Sequence, residues 1–187
     1  MKVHFVCTGN LCRSPMAEAL LRHALAARDC PADVEVTSSG TWADIGSPAT
    51  SGASDALARR GVDLREHRSR PVDPEELDAA DVVVVMTSVH VREVLEVTPA
   101  VRPKLVLLKE LPEMLAALTA ETHSDDSAQA RLSQLLGAQR PEPRRSLDVD
   151  DPIGLPFMAY DRCVDDLLRG IEVLAEVLCG GPAQGDT

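Results

Sequence analysis

The sequence predicts an α/β protein, with a four-stranded parallel sheet flanked by helices in three layers. Short Val-rich apolar runs alternate with longer segments of helical periodicity, which is the pattern of β-α-β units. The run of valines at 82–85 is apolar on both faces, as a central strand covered from both sides must be. With 187 residues, 44% of them hydrophobic, the chain is long enough for one domain with its own core.

The four strands are expected at 3–7, 34–38, 82–86 and 105–108. The first helix is expected at 14–27, with Ser14 as its cap, Pro15 in the first turn and Glu18 four residues on. Further helices follow at 48–60, closed by Gly61, then at 88–97 and 111–120. The last helix runs from about 156 to 179 and is closed by two glycines. One segment fits less well. Residues 122–145, THSDDSAQARLSQLLGAQRPEPRR, are polar, then weakly helical, then rich in Pro and Arg. They predict a surface excursion with one helix, read as a solvated linker in preference to a partner-binding insert, within a surface insertion expected over about 119–147. The domain is expected to span 1–181, with 182–187 as a flexible tail.

Charge and cysteine usage exclude several function classes. The formal net charge of −11 opposes sequence-independent nucleic-acid binding and adsorption to an anionic membrane. No apolar run reaches a membrane span, and MKVHFVC enters a core strand without a signal peptide's cleavage region, so a cytoplasmic location is expected. Five cysteines in no framework spacing read as free thiols of a reducing compartment. No Cys or His spacing suggests a metal, and no cofactor is expected.

Two stretches share the spacing Cys, five residues, Arg: Cys7–Arg13 and Cys163–Arg169. In the second, VDDLL lies inside a helical pattern, where positions six apart do not face each other and two acids oppose an anion. Cys163 therefore reads as core. In the first, Thr8-Gly9-Asn10-Leu11-Cys12 contains no acid, and Gly9 and Asn10 tolerate a curled backbone. A curl between a strand end and a helix N-terminus turns amides inward as a nest for a phosphate-sized anion. That field favours Cys7 as a thiolate, Arg13 can fork onto two phosphate oxygens, and Ser14 can donate to the sulfur.

VCTGNLCRSPMAEAL resembles the phosphate-binding loop of the low-molecular-weight protein tyrosine phosphatases, and the chain is identified as a bacterial member of that family. SSGTWADIGSPA, GVDLREHRSR and DDPIG are similar to the family's second strand, its His-containing segment and its Asp-Pro loop. The resemblance implies the phosphotyrosine protein phosphatase I-like fold and a phosphocysteine mechanism. In that mechanism Cys7 is the nucleophile, Arg13 the transition-state clamp and Asp151 the general acid and base; Asp151 precedes Pro152, and its match to the family's general acid selects it over Asp148 and Asp150. Phosphate is held by Thr8, Gly9, Asn10, Leu11, Cys12, Arg13 and Ser14. Asn10, Ser14 and His67 support the loop, with His67 reaching toward Asn10. Trp42 either lines the mouth and stacks on an aromatic substrate or anchors packing. Cys12 either traps an oxidised Cys7 as a disulfide or fills core.

The expected partners are a phosphorylated protein or peptide, and phosphate or another oxyanion in the loop. No nucleic acid or membrane is expected, and the chain is expected as a monomer or weak dimer. An aliphatic residue at Leu11 favours phosphotyrosine, whereas threonine there accompanies phosphoarginine hydrolysis in the family. VMTSVH, and the lack of an aromatic pair after Asp-Pro, resemble the arginine branch instead, so phosphoarginine is the alternative. Arsenate reductase shares the loop but needs further cysteines, and none lies between Cys30 and Cys163. A phosphoprotein-binding module would not need Asp151.

Overall fold

The computed structural model describes residues 1–28, 30, 33–118, 127–141 and 144–180. Four strands, β1 (Lys2–Cys7), β2 (Glu35–Gly40), β3 (Val82–Val85) and β4 (Leu105–Leu107), form one parallel sheet in the order β2-β1-β3-β4. The helices are α1 (Arg13–Ala27), α2 (Ser51–Ala58), α3 (Pro74–Ala79), α4 (Ser88–Val97), α5 (Leu111–Ala117), α6 (Ala128–Gly137) and α7 (Phe157–Cys179). The alternation of side chains along each strand sorts the core into two. Val3, Phe5, Val82 and Val84 pack with α1 and α7, while Val6, Val83 and Val85 pack with Leu77, Val94 and Val101 on the other face. In β3 all four valines are buried, which accounts for its lack of polar alternation.

β1 lies inside the sheet, and its register sets Cys7 beside Gly40 and Val6 beside Val85 at the carboxyl ends of three strands. Loops leaving those ends meet at one rim, where open parallel sheets place their ligand sites.

Several expectations need correction. Ser14 does not cap α1: the N-cap is Cys12, no side chain caps it, and the Ser14 hydroxyl is engaged elsewhere. Helix α2 starts later than expected because Thr50 accepts from the Ala53 amide and sets its first turn. Helix α3, capped by Asp73, was not expected; six residues are too short for periodicity to register. Within the described part of the insertion, residues 128–137 are not a solvated linker. Helix α6 packs on α7 and α5, with Leu132 and Leu135 buried in the main core and Arg131 Nε donating to Val177 O at 2.6 Å. Residues 119–126, 142–143 and the expected tail at 182–187 lie outside the described residues.

The five cysteines are not all free. Cys30 and Cys179 form a disulfide with a Cα–Cα separation of 4.9 Å, leaving Cys7, Cys12 and Cys163 as thiols. A separation of 149 residues hides such a pairing from local sequence. Among the described residues no helix is long and apolar enough to cross a membrane.

Candidate active site

Strand β1 ends at Cys7, residues 8–12 bend, and α1 begins at Arg13. Asn10 sits at φ 52°, the one non-glycine described residue in the left-handed region. Hydrogen bonds then orient the loop peptide by peptide. Thr41 N donates to Cys7 O at 2.9 Å, Trp42 N to Thr8 O at 2.9 Å and Thr50 N to Leu11 O at 3.0 Å. His67 Nε2 bonds Asn10 O at 2.8 Å. In a trans peptide the following N–H points opposite to the carbonyl. Four carbonyls bonded outward therefore turn the amides of Thr8, Gly9, Leu11 and Cys12 inward, at the N-terminus of a fifteen-residue helix. That is a nest for an oxyanion.

The reactive groups meet there. Cys7 Sγ is 3.0 Å from Ser14 Oγ. Arg13, 4% exposed, donates through Nη1 to Val149 O at 3.3 Å and through Nη2 to the Asp151 carboxylate. Its Nη2 also reaches Thr8 Oγ1 at 3.4 Å. The acid loop is held by its own neighbours. Val149 N donates to Met86 O at 2.7 Å, Ser88 N donates to Asp148 Oδ1 at 2.8 Å, and Ile153 N donates to Asp151 Oδ1 at 3.2 Å. Asp148 thus holds the N-terminus of α4 and Asp150 points to solvent, so of the three aspartates only Asp151 meets Arg13.

Asn10 ties the loop to the rest of the rim. Its Nδ2 donates to Ser14 Oγ and Ser38 Oγ, both at 2.9 Å, and its Oδ1 accepts from Arg70 N at 3.1 Å. The left-handed backbone is thereby over-determined by polar contacts from α1, β2 and the 61–70 segment. Gly40 lets β2 come close enough for this, since a Cβ there would lie 2.4 Å from Thr8 O and 2.8 Å from Asn10 N.

The remaining candidates separate by position. Leu11 is half-buried against the core. Trp42 is 75% exposed, with Nε1 donating to Glu93 Oε1 at 2.9 Å, so it stands beside the loop and does not anchor packing. Cys12 is buried, its Sγ 3.1 Å from Thr50 Oγ1, and burial pushes its thiol up to about 11. At neutral pH it is a protonated, engaged thiol, which fits core filler better than a resolving thiol. Cys163 is buried in α7, and burial pushes it up to about 12. Among the described residues no cluster of three or more His, Cys, Asp or Glu is placed to hold a metal.

Sequence reasoning missed His90. It is 2% exposed and bonds Thr8 Oγ1 through Nε2 at 2.9 Å. Its local signal was slight, because 82 residues separate it from Thr8 and a buried histidine near a helix start looks like core.

Residues 2–126 match the model of a family described as low molecular weight phosphotyrosine protein phosphatase. The chain is 33% identical to a protein-arginine-phosphatase of Geobacillus stearothermophilus over 177 residues, covering 95% of both chains. It is 29% identical over 167 residues to a probable low molecular weight protein-tyrosine-phosphatase, EpsP, of Ralstonia solanacearum, covering 89% of this chain and 88% of that one. Among solved structures, a low molecular weight protein tyrosine phosphatase from T. tengcongensis superposes with TM-score 0.71 at 31% identity, covering 94% of this chain and 98% of that one. The YwlE arginine phosphatase from Geobacillus stearothermophilus superposes with TM-score 0.68 at 32% identity, covering 94% and 90%.

Proposed function

This chain belongs to the low molecular weight phosphotyrosine protein phosphatase family, and from that premise we propose that it hydrolyses phosphotyrosine in proteins through a phosphocysteine on Cys7. The observation that carries the reading is the convergence of a thiol, an inward-facing amide nest and an Arg13–Asp151 pair at one sheet rim.

The Cys7 thiolate attacks phosphorus in line with the leaving oxygen. The amides of Thr8, Gly9, Leu11 and Cys12 and the Arg13 guanidinium hold the three equatorial oxygens as charge spreads over them. Asp151 gives its proton to the leaving phenolate oxygen as the P–O bond breaks, leaving phosphate on sulfur. A water then enters, Asp151 takes its proton, the oxygen attacks phosphorus, and the P–S bond breaks. Ser14 Oγ, already 3.0 Å from the sulfur, donates to the departing thiolate. Asn10 and His67 hold the loop through both displacements.

The substrate class rests on the mouth. Trp42, whose amide bonds Thr8 O, is exposed beside the loop and offers apolar surface to an aromatic ring, and Leu11 agrees, whereas Ile153 beside Asp151 supplies no aromatic wall. A second reading, phosphoarginine, is favoured by the protein-arginine-phosphatase relative matched over 95% of both chains. One experiment separates them: turnover of phosphotyrosine and phosphoarginine peptides by the wild type, Cys7→Ser, Asp151→Asn and Leu11→Thr. We expect faster phosphotyrosine turnover and none by Cys7→Ser. Asp151→Asn should lower kcat by about 10²–10⁴-fold, and Leu11→Thr should shift preference toward phosphoarginine. A preference untouched by Leu11→Thr removes that position from the specificity argument.

A further inference from the structure

His90 is a buried titratable group for which the reaction as written has no task. It lies in the first turn of α4, and both its ring nitrogens are engaged: Nδ1 with Thr87 Oγ1 at 3.0 Å and Nε2 with Thr8 Oγ1 at 2.9 Å. The charged groups facing it are Arg13, Glu93, Asp148 and Asp151. Burial first, and the Arg13 guanidinium second, hold its pKa down at about 4. The ring is therefore neutral near pH 7, with one nitrogen donating and the other accepting.

Two tautomers satisfy both bonds, and they run the hydrogen-bond chain in opposite directions. Thr87 Oγ1 accepts the His90 backbone N–H at 3.4 Å as the N-cap of α4. With the ring proton on Nε2, Nδ1 accepts the Thr87 hydroxyl hydrogen and Nε2 donates to Thr8 Oγ1. That oxygen also receives Arg13 Nη2 at 3.4 Å. A hydroxyl oxygen with both lone pairs occupied has one remaining capacity, its own hydrogen. The Thr8 side chain is exposed at the loop, beside the guanidinium that clamps the phosphoryl oxygens.

We propose that His90 is a positioning residue: it sets the direction of a hydrogen-bond chain from the α4 N-terminus through Thr87 and Thr8, so that Thr8 presents its hydroxyl hydrogen to a phosphoryl oxygen in the loop. The proposal rests on the phosphatase reading above. It adds a side-chain donor to the amide nest and gives α4 a part in the chemistry.

The test uses p-nitrophenyl phosphate turnover, with inhibition by inorganic vanadate as a second readout, on the full chain. His90→Ala should lower kcat/KM by about 10–100-fold and weaken vanadate inhibition. His90→Gln, whose amide nitrogen can donate to Thr8 while its carbonyl accepts from Thr87, should recover most of both. Thr8→Val should lose at least as much as His90→Ala, and the double variant should be no worse than Thr8→Val alone. Losses that add in the double variant would overturn the proposal, as would His90→Gln remaining as slow as His90→Ala while both melt like the wild type. Should His90→Ala not fold, Thr87→Val carries the test, since it removes the hydroxyl from which Nδ1 accepts when the ring proton is on Nε2. An unchanged kcat/KM there also overturns it. Wild-type turnover with unaffected His90 variants removes the positioning role and leaves the phosphatase intact, whereas an inactive wild type removes both readings.

Discussion

Two buried histidines show how single residues answer to their surroundings. His90 serves the loop, whereas His4 serves the sheet. On β1, His4 bonds Thr37 Oγ1 at 2.8 Å and Ser39 Oγ at 2.7 Å, and burial, with Arg70 nearby, holds its pKa at about 4. The unfolded chain takes up a proton at about 6.5 that the folded chain refuses until about 4. Each such histidine therefore contributes stability that is fully present above pH 6.5 and is lost as pH falls toward 4. For His4 alone the loss between pH 7 and 4.5 should be about 2 kcal/mol. Urea unfolding at both pH values, on the wild type and His4→Gln, checks this: the variant starts less stable but should lose less on acidification. Equal losses in both would show that His4 does not carry the pH dependence.

At the scale of elements, the site depends on how closely β2 approaches the phosphate loop. Gly40 pairs with Cys7 across the sheet, and a Cβ there would meet backbone atoms, which cannot swing aside as a side chain would. Gly40→Ala must therefore displace Thr8 and Asn10 relative to β2. A displacement near 1 Å at a catalytic centre costs about 10²-fold, so kcat/KM should fall by that order while the melting temperature drops only a few degrees. Unchanged kinetics would show that the rim tolerates the shift. The loop motif was legible because its residues are contiguous, from Cys7 to Ser14, and their chemistry agrees. Its supports were less so: His67 was expected at Asn10 only through the family resemblance, and Ser38 and Arg70 converge on Asn10 only in the fold.

For the whole molecule, the Cys30–Cys179 link joins the chain just past α1 to the end of α7, the two helices that pack together over one face of the sheet. Helix α1 is fifteen residues long, about 20 Å at its rise per residue, so the link lies far from the phosphate loop at the helix's other end. In the chain-entropy view, closing a loop of this length stabilises a fold by about 5 kcal/mol, at the upper end of what disulfides deliver. Cys30→Ser, measured without reductant, should thus melt on the order of 10 °C lower with kcat unchanged. A lower kcat at equal melting temperature would contradict that separation of stability from chemistry.

By itself the sequence determined the parallel sheet, the valine strand buried on both faces and the turn between the first strand and the first helix, because each is written in adjacent residues whose periodicity or chemistry is local. Only the tertiary structure decided the disulfide, the burial of α6, the exposure of Trp42 and the contact of His90 with Thr8. Each of these pairs groups tens of residues apart, and such encounters depend on how the layers stack, which no local pattern encodes.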